Sequence, residues 1–192
     1  MITPRASSTL SCMFETAIRD NCLTGPQDNC RILPLPNLMQ DDEALDPSHR
    51  LIVLNIASYT FRMVAVFDFA TDAATLTHLA QIVRSDISNL HGQVLNDALA
   101  EFVNMICGSV NRGLCAQQQH VGMSTPFVLE SSCARYLSIL APDQIQRHTA
   151  SINEAMNFQF WLCISTARET TLDFEVIRHQ PEAVTGGELE LF

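Results

Sequence analysis

The stretch DALAEFVNMICGSVNRGL, Asp97 to Leu114, sets an acid, a second acid, an amide, a glycine and another amide at Asp97, Glu101, Asn104, Gly108 and Asn111. At about 100° per residue these positions fall within an arc of roughly 80° on a helix, while Leu95, Leu99, Phe102, Ile106 and Val110 gather on the opposite side. The spacing predicts a helix docked by its apolar face that presents carboxylates and carboxamides on the other. A merely solvated face usually mixes acids with Lys or Arg, but this one has no base before Arg112. Asn is a poor helix former, and a mid-helix Gly costs about 1 kcal/mol relative to Ala. Both choices make sense if something approaches the helix closely there, so the stripe reads as a docking surface.

The flanking sequence supplies elements to carry such a helix. Ser7 to Asn21 places Leu10, Met13, Phe14, Ala17 and Ile18 at helical spacing, with Ser7 or Ser8 as the N-cap. Cys22 to Arg50 holds Gly25, Pro26, Pro34, Pro36, Pro47 and the acidic patch Asp41, Asp42, Glu43, which predicts a long connection with one short strand around Arg31 to Leu35. Leu51 to Ala57 and Phe61 to Phe69 are rich in β-branched and aromatic residues about a turn at Ser58 to Thr60, a hairpin in a well-covered sheet. Thr71 and Asp72 can cap a helix running to about Ser85. The striped helix follows from about Ser88, and Gly113 suits its C′ position.

Further strands are expected at roughly Phe127 to Leu129, Ala134 to Leu140, His148 to Ile152, Phe158 to Ser165 and Leu172 to Ile177. The ending TGGELELF is polar, and residues 180 to 192 are expected to be flexible. Helix, hairpin, two helices and then several strands predict an α+β domain spanning residues 1 to 192, with an antiparallel sheet and long helices packed on one face.

Composition narrows the function. The chain has 192 residues, 47% of them hydrophobic, enough for one full core. All eleven basic residues are Arg and the formal charge is −10, a field that opposes nucleic acid and anionic membranes and favours a protein or small-molecule partner. Met1 to Cys12 has no apolar stretch behind its one Arg, and the longest apolar runs are broken by Asn55 and Asp68. A cytoplasmic chain without a membrane-spanning segment is expected. The seven Cys (12, 22, 30, 107, 115, 133, 163) form an odd set without a CxxC pair, and the six His show no HxH or HxxxH spacing. Plain thiols and no metal of the chain's own are the expectation.

The stripe resembles the signature of the CheC/FliY/CheX family of chemotaxis phosphatases: an Asp or Ser, a Glu four residues on, an Asn three further, and a Pro a little over twenty residues later. Here these are Asp97, Glu101, Asn104 and Pro126, the last in GMSTPFVL. The resemblance covers about Ala70 to Leu129 with some specificity, and the rest in outline. Two departures from the family pattern are the single Pro of STPFVL, where paired prolines are common, and the long connection from Cys22 to Arg50. CheC-type members carry two such helices, but the other ExxN, Glu154 and Asn157, lacks the preceding Asp or Ser and the following Pro and sits between two expected strands. It reads as a hairpin turn, which leaves one site, as in CheX.

The family acts on CheY-type response regulators phosphorylated on an Asp that lies beside a Lys and a bound magnesium ion. The resemblance therefore implies a phosphatase in which Asn104 positions the attacking water, since its amide offers both a donor and an acceptor. Glu101 would pair with the regulator's Lys. Asp97, Gly108, Asn111 and Pro126 would form the partner-binding surface. Magnesium would come with the regulator, and the chain would form a homodimer. The alternative is a non-catalytic CheX-like module that binds a receiver domain or a flagellar-switch protein. A third reading, a Cys107 nucleophile, places that thiol about 120° from Glu101, toward the buried side.

Overall fold

A computed structural model describes residues 1–36, 46, 48–117 and 119–175. Its elements are α1 (Pro4–Cys22), β1 (Cys30–Leu35), β2 (Arg50–Ala57), β3 (Phe61–Phe69), α2 (Ala73–Val83), α3 (Gly92–Ala116), β4 (Gly122–Met123), β5 (Phe127–Glu130), β6 (Gln144–Ile152) and β7 (Met156–Thr166). Short 3-10 segments fill Ile87–Asn89 and Ser131–Leu140. The strands form one antiparallel sheet in the order β1-β6-β7-β3-β2-β4, with β5 also paired to β2. The α+β class and the layering of helices on one sheet face are as the sequence predicts.

The inward face of the sheet explains why the helices settle there. Ile52, Leu54 and Ile56 of β2, Met63, Ala65, Phe67 and Phe69 of β3, and Phe158, Phe160 and Leu162 of β7 are buried against Leu10, Phe14 and Ile18 of α1 and against Leu99, Phe102 and Ile106 of α3. At the centre, Phe67 lies 6.5 Å from Phe14, 6.2 Å from Phe69 and 5.7 Å from Phe160 between ring centroids. A β-strand sends alternate side chains to one face, so β3 sets Phe67 and Phe69, and β7 sets Phe158 and Phe160, against the same helices.

The opposite face has an apolar centre too, and β3 has only one exposed residue, Arg62. Leu51, Val64, Val66, Trp161 and Cys163 are covered by Ala134, Cys133 and Leu137 of the 3-10 segment Ser131–Leu140. Ser131 pins that segment by donating to Asp68 Oδ1 at 2.9 Å, while His49 Nδ1 lies 2.9 Å from Asp68 Oδ2. This corrects the strand expected at Ala134 to Leu140. Ser131, Ala134 and Leu137 recur every third residue, the period of a 3-10 helix, and these are the positions turned toward the sheet.

Other boundaries shift for local reasons. α1 begins at Pro4 and not near Ser7, because Thr3 accepts from Ala6 N at 3.1 Å and Pro at the first helical position has no N–H to satisfy. Asp72 caps α2 by accepting from Thr75 N at 2.8 Å, as expected. α3 starts at Gly92, after the 3-10 turn, and runs past Gly113 to Ala116. Gly113 is therefore not the stop signal. A Cβ there would lie 2.6 Å from the terminal methyl of Met13, so the glycine leaves room for that side chain between α1 and α3.

β6 begins at Gln144, four residues before the expected start, and the two-residue β4 was not foreseen. Of the strand expected at Leu172 to Ile177, only Leu172 bridges, to Ile2, and residues 176 and 177 lie outside the described residues, as does the tail from 180. The second ExxN is in the β6–β7 hairpin as predicted, with Asn153 and Glu154 at positive φ.

Where β6 meets α1 the contact is polar. Gln146 Nε2 donates to Ser7 Oγ at 2.6 Å, and Ser11 donates to Gln146 Oε1 at 2.8 Å. Next to them His148 stacks on Phe160, with centroids 4.9 Å apart, and its Nδ1 is buried without a hydrogen bond among the described residues. Burial lowers its pKa, against the opposing pull of Glu15. A His depressed in the fold is neutral there, while the unfolded chain takes up a proton below about pH 6.5. Stability is thus full above that pH and falls as pH drops through the window below it. Thermal melts between pH 7.5 and 5 should show this slope, and His148→Gln should flatten it; an unchanged slope would remove His148 as its source.

Candidate functional site

α3 is seated by Leu95, Leu99, Phe102, Val103, Ile106, Cys107, Val110 and Leu114, all buried. Phe102 packs against Phe69 and, edge-on, Phe158, with centroids 5.8 and 6.3 Å away. This fixes the rotation of the helix, and the stripe turns outward as the spacing predicts. Asp97 and Glu101 are exposed, and Asn104, Gly108 and Asn111 are half-buried. From Asp97 to Asn111 the stripe runs about 21 Å at 1.5 Å per residue.

Glu101 and Asn104 are neighbours one turn apart. Asn104 Nδ2 lies 3.5 Å from Glu101 Oε2, at the outer limit of a hydrogen bond, so both side chains keep their capacity for other partners. Asp97 is held by Gln93 Nε2, which donates to its Oδ1 at 2.7 Å. A Cβ on Gly108 would meet only the Arg112 guanidinium, at 3.6 Å, an ordinary contact. Nothing among the described residues therefore demands glycine at that position, and their packing does not account for its helix penalty. Asn111 has a buried Oδ1 with no hydrogen-bond partner among the described residues.

Pro126 is half-buried in the link between β4 and β5. Both of these strands pack against α3, so the fold brings the proline's segment alongside the striped helix.

Electrostatics and chemistry exclude one reading. Cys107 is fully buried, and burial raises its thiol pKa far above the ordinary value, so no thiolate is available for attack. All seven cysteines are free, and no group of His, Cys, Asp or Glu suited to a metal ion occurs among the described residues. No helix among them is long and apolar enough to cross a membrane.

The sequence reading missed one feature beside the stripe. Arg50, Asn96, Val128, Glu130, Ser132 and Arg135 line an open cleft between α3, β5 and the following 3-10 segment. Most of them fall within residues 128–135, but Arg50 and Asn96 are distant in sequence, so only the folded sheet gathers the set.

No family model and no curated protein sequence matches the chain. Solved structures do. A CheX from Borrelia burgdorferi, in complex with CheY, BeF3 and Mg2+, aligns with a TM-score of 0.58 at 11% identity over 83% of this chain and 97% of that one. The chemotaxis protein CheX from Vibrio vulnificus aligns with a TM-score of 0.55 at 14% identity over 83% and 99%. The FliM middle domain from Vibrio alginolyticus aligns with a TM-score of 0.54 at 7% identity over 82% and 92%. With its helices on one face of the antiparallel sheet and Glu101 and Asn104 on the open side of α3, the chain has the fold of the CheX and CheC-like chemotaxis proteins.

Proposed function

We propose that this chain is a phosphatase for a CheY-type receiver domain phosphorylated on aspartate, and that α3 enters the receiver's active site with Glu101 and Asn104. The observation that carries the reading is this pair, one turn apart on the open face of a helix anchored by Phe102, in a fold shared with a CheX solved together with CheY. An acyl phosphate is reactive enough that hydrolysis is accelerated mainly by placing a water in line and holding the surrounding charges still. The Asn104 amide orients that water through one donor and one acceptor, without any shift of its own protonation. Glu101 pairs with the receiver's Lys and fixes the register of the helix. Asp97, Gly108 and Asn111 on the same helix, and Pro126 on the link between β4 and β5, supply contact surface in this reading. The metal belongs to the receiver, where it neutralises the phosphoryl oxygens. In this reading the protein acts in the cytoplasm, as a homodimer.

Fold alone does not carry chemistry, and the FliM middle domain shares the fold. The second reading is accordingly a module that grips a receiver or a flagellar-switch protein without hydrolysis. The decay of a phosphorylated receiver, followed with and without the chain, separates them. Faster decay is expected. Glu101→Ala should weaken binding and turnover together, because the contact with the receiver's Lys exists in the ground state as well as the transition state. Normal binding and turnover in that variant would leave Glu101 an ordinary surface carboxylate.

A further inference from the structure

The cleft beside α3 is a place where a strongly acidic chain turns basic. Arg50 and Arg135 face it with one carboxylate, Glu130, and no ion pair joins Glu130 to either guanidinium among the described residues. Arg50 spends one nitrogen on the carbonyls of Ser48 and His49, at 3.2 and 3.0 Å, and keeps its remaining donors. Arg135 is exposed and makes no hydrogen bond or ion pair among the described residues. Asn96, on the wall formed by α3, holds its Oδ1 buried and without a partner. The two guanidinium groups thus face one opening, and the Asn96 oxygen lies sealed in its wall. A carboxylate accepts from both guanidinium groups, and an acidic residue on an exposed polypeptide loop supplies one.

Position ties the cleft to the stripe. Asn96 precedes Glu101 by five residues, about 7.5 Å along the helix axis. Asn96 lies about 140° around the helix from Glu101 but about 80° from Asn104, and a standard protein interface covers about 800 Å² per partner, a disc of roughly 16 Å radius, so a partner that wraps the Asn104 side of α3 is large enough to reach the cleft. We propose that the Arg50–Asn96–Arg135 cleft receives an acidic loop residue of the same receiver domain and is the second point of its docking. The inference rests on the receiver-binding reading above. Glu101 takes a positive group and the cleft a negative one, and this pairing of opposite signs fixes the rotation of the partner about the α3 contact and rejects receivers that lack the acid.

Receiver domains from the same organism, activated with beryllofluoride and magnesium, are the probe. Affinity and association rate are measured at low and physiological salt for the unmodified chain, Arg135→Glu and Arg31→Glu. Arg31, on the β1 edge strand, changes net charge equally at the far side of the sheet. Arg135→Glu should bind at least tenfold more weakly at low salt, mainly through slower association, while Arg31→Glu stays within about threefold of the unmodified chain. Replacing the matching receiver acid by Arg should restore binding to Arg135→Glu. Equal effects of the two variants would overturn the cleft as a docking point. Loss of binding in Glu101→Ala beside normal binding in Arg135→Glu would remove the cleft alone. If no activated receiver binds the unmodified chain, the receiver reading falls and the cleft proposal with it.

Discussion

Asn104→Ala should lower the turnover of a phosphorylated receiver by about two orders of magnitude, the usual loss when a positioned catalytic donor is removed or misplaced, and leave affinity within about threefold. The asymmetry follows from where the interaction is made. A water held in line by the amide is stabilised mainly as the bond to phosphorus forms, so its loss raises the barrier without loosening the ground-state complex. Folding should not obscure the result. Asn104 is half-buried, its side chain's one hydrogen bond among the described residues is the long contact to Glu101, and Ala is the better helix former. Single-turnover decay and binding, measured on the same preparations, give the two numbers. Undiminished turnover in Asn104→Ala would defeat the catalytic assignment. Binding without turnover in the unmodified protein would instead select the binding module.

Much of the fold was legible because periodicity alone determines it. The β2–β3 hairpin was visible in two β-branched and aromatic runs, and its turn lies at Ser58 to Thr60 as read. The orientation of α3 followed from two sets of residues on opposite sides of one helical wheel, and Phe102 and Ile106 are fully buried while Glu101 is exposed. What failed were places where tertiary packing decides the role of a residue. Gly113 has the chemistry of a helix stop, but the approach of Met13 gives it a different use. Ala134 to Leu140 reads as a strand, yet the period of three in Ser131–Leu140 makes that segment the cover of the sheet's second face. The Arg50–Asn96–Arg135 cleft had no local signal, since its three groups come from a strand, a helix and a 3-10 segment. Glu101 and Asn104 were readable because one helical turn places them together whatever the rest of the chain does.

The largest effect on stability is expected from Phe102→Ala. Phe102 has no exposed surface, and its ring meets Phe69 and Phe158 at 5.8 and 6.3 Å, joining α3 to the centre of the sheet through β3 and β7. Removing a buried ring forfeits its transfer energy and leaves a cavity that α3 cannot fill without shifting, a loss of about 3–5 kcal/mol. At roughly 2–4 °C per kcal/mol for a chain of this size, the melting temperature should fall by about 6–20 °C. Phe102→Leu, which keeps much of the volume, should lose far less. The two positions make opposite predictions from one helix: Phe102→Ala should lower stability while each folded molecule still binds a receiver, and Asn104→Ala should lower turnover while the melt stays in place. A melt of Phe102→Ala within a degree or two of the unmodified protein would mean that α3 is not anchored by this ring, and the outward placement of Glu101 and Asn104 would lose its physical cause.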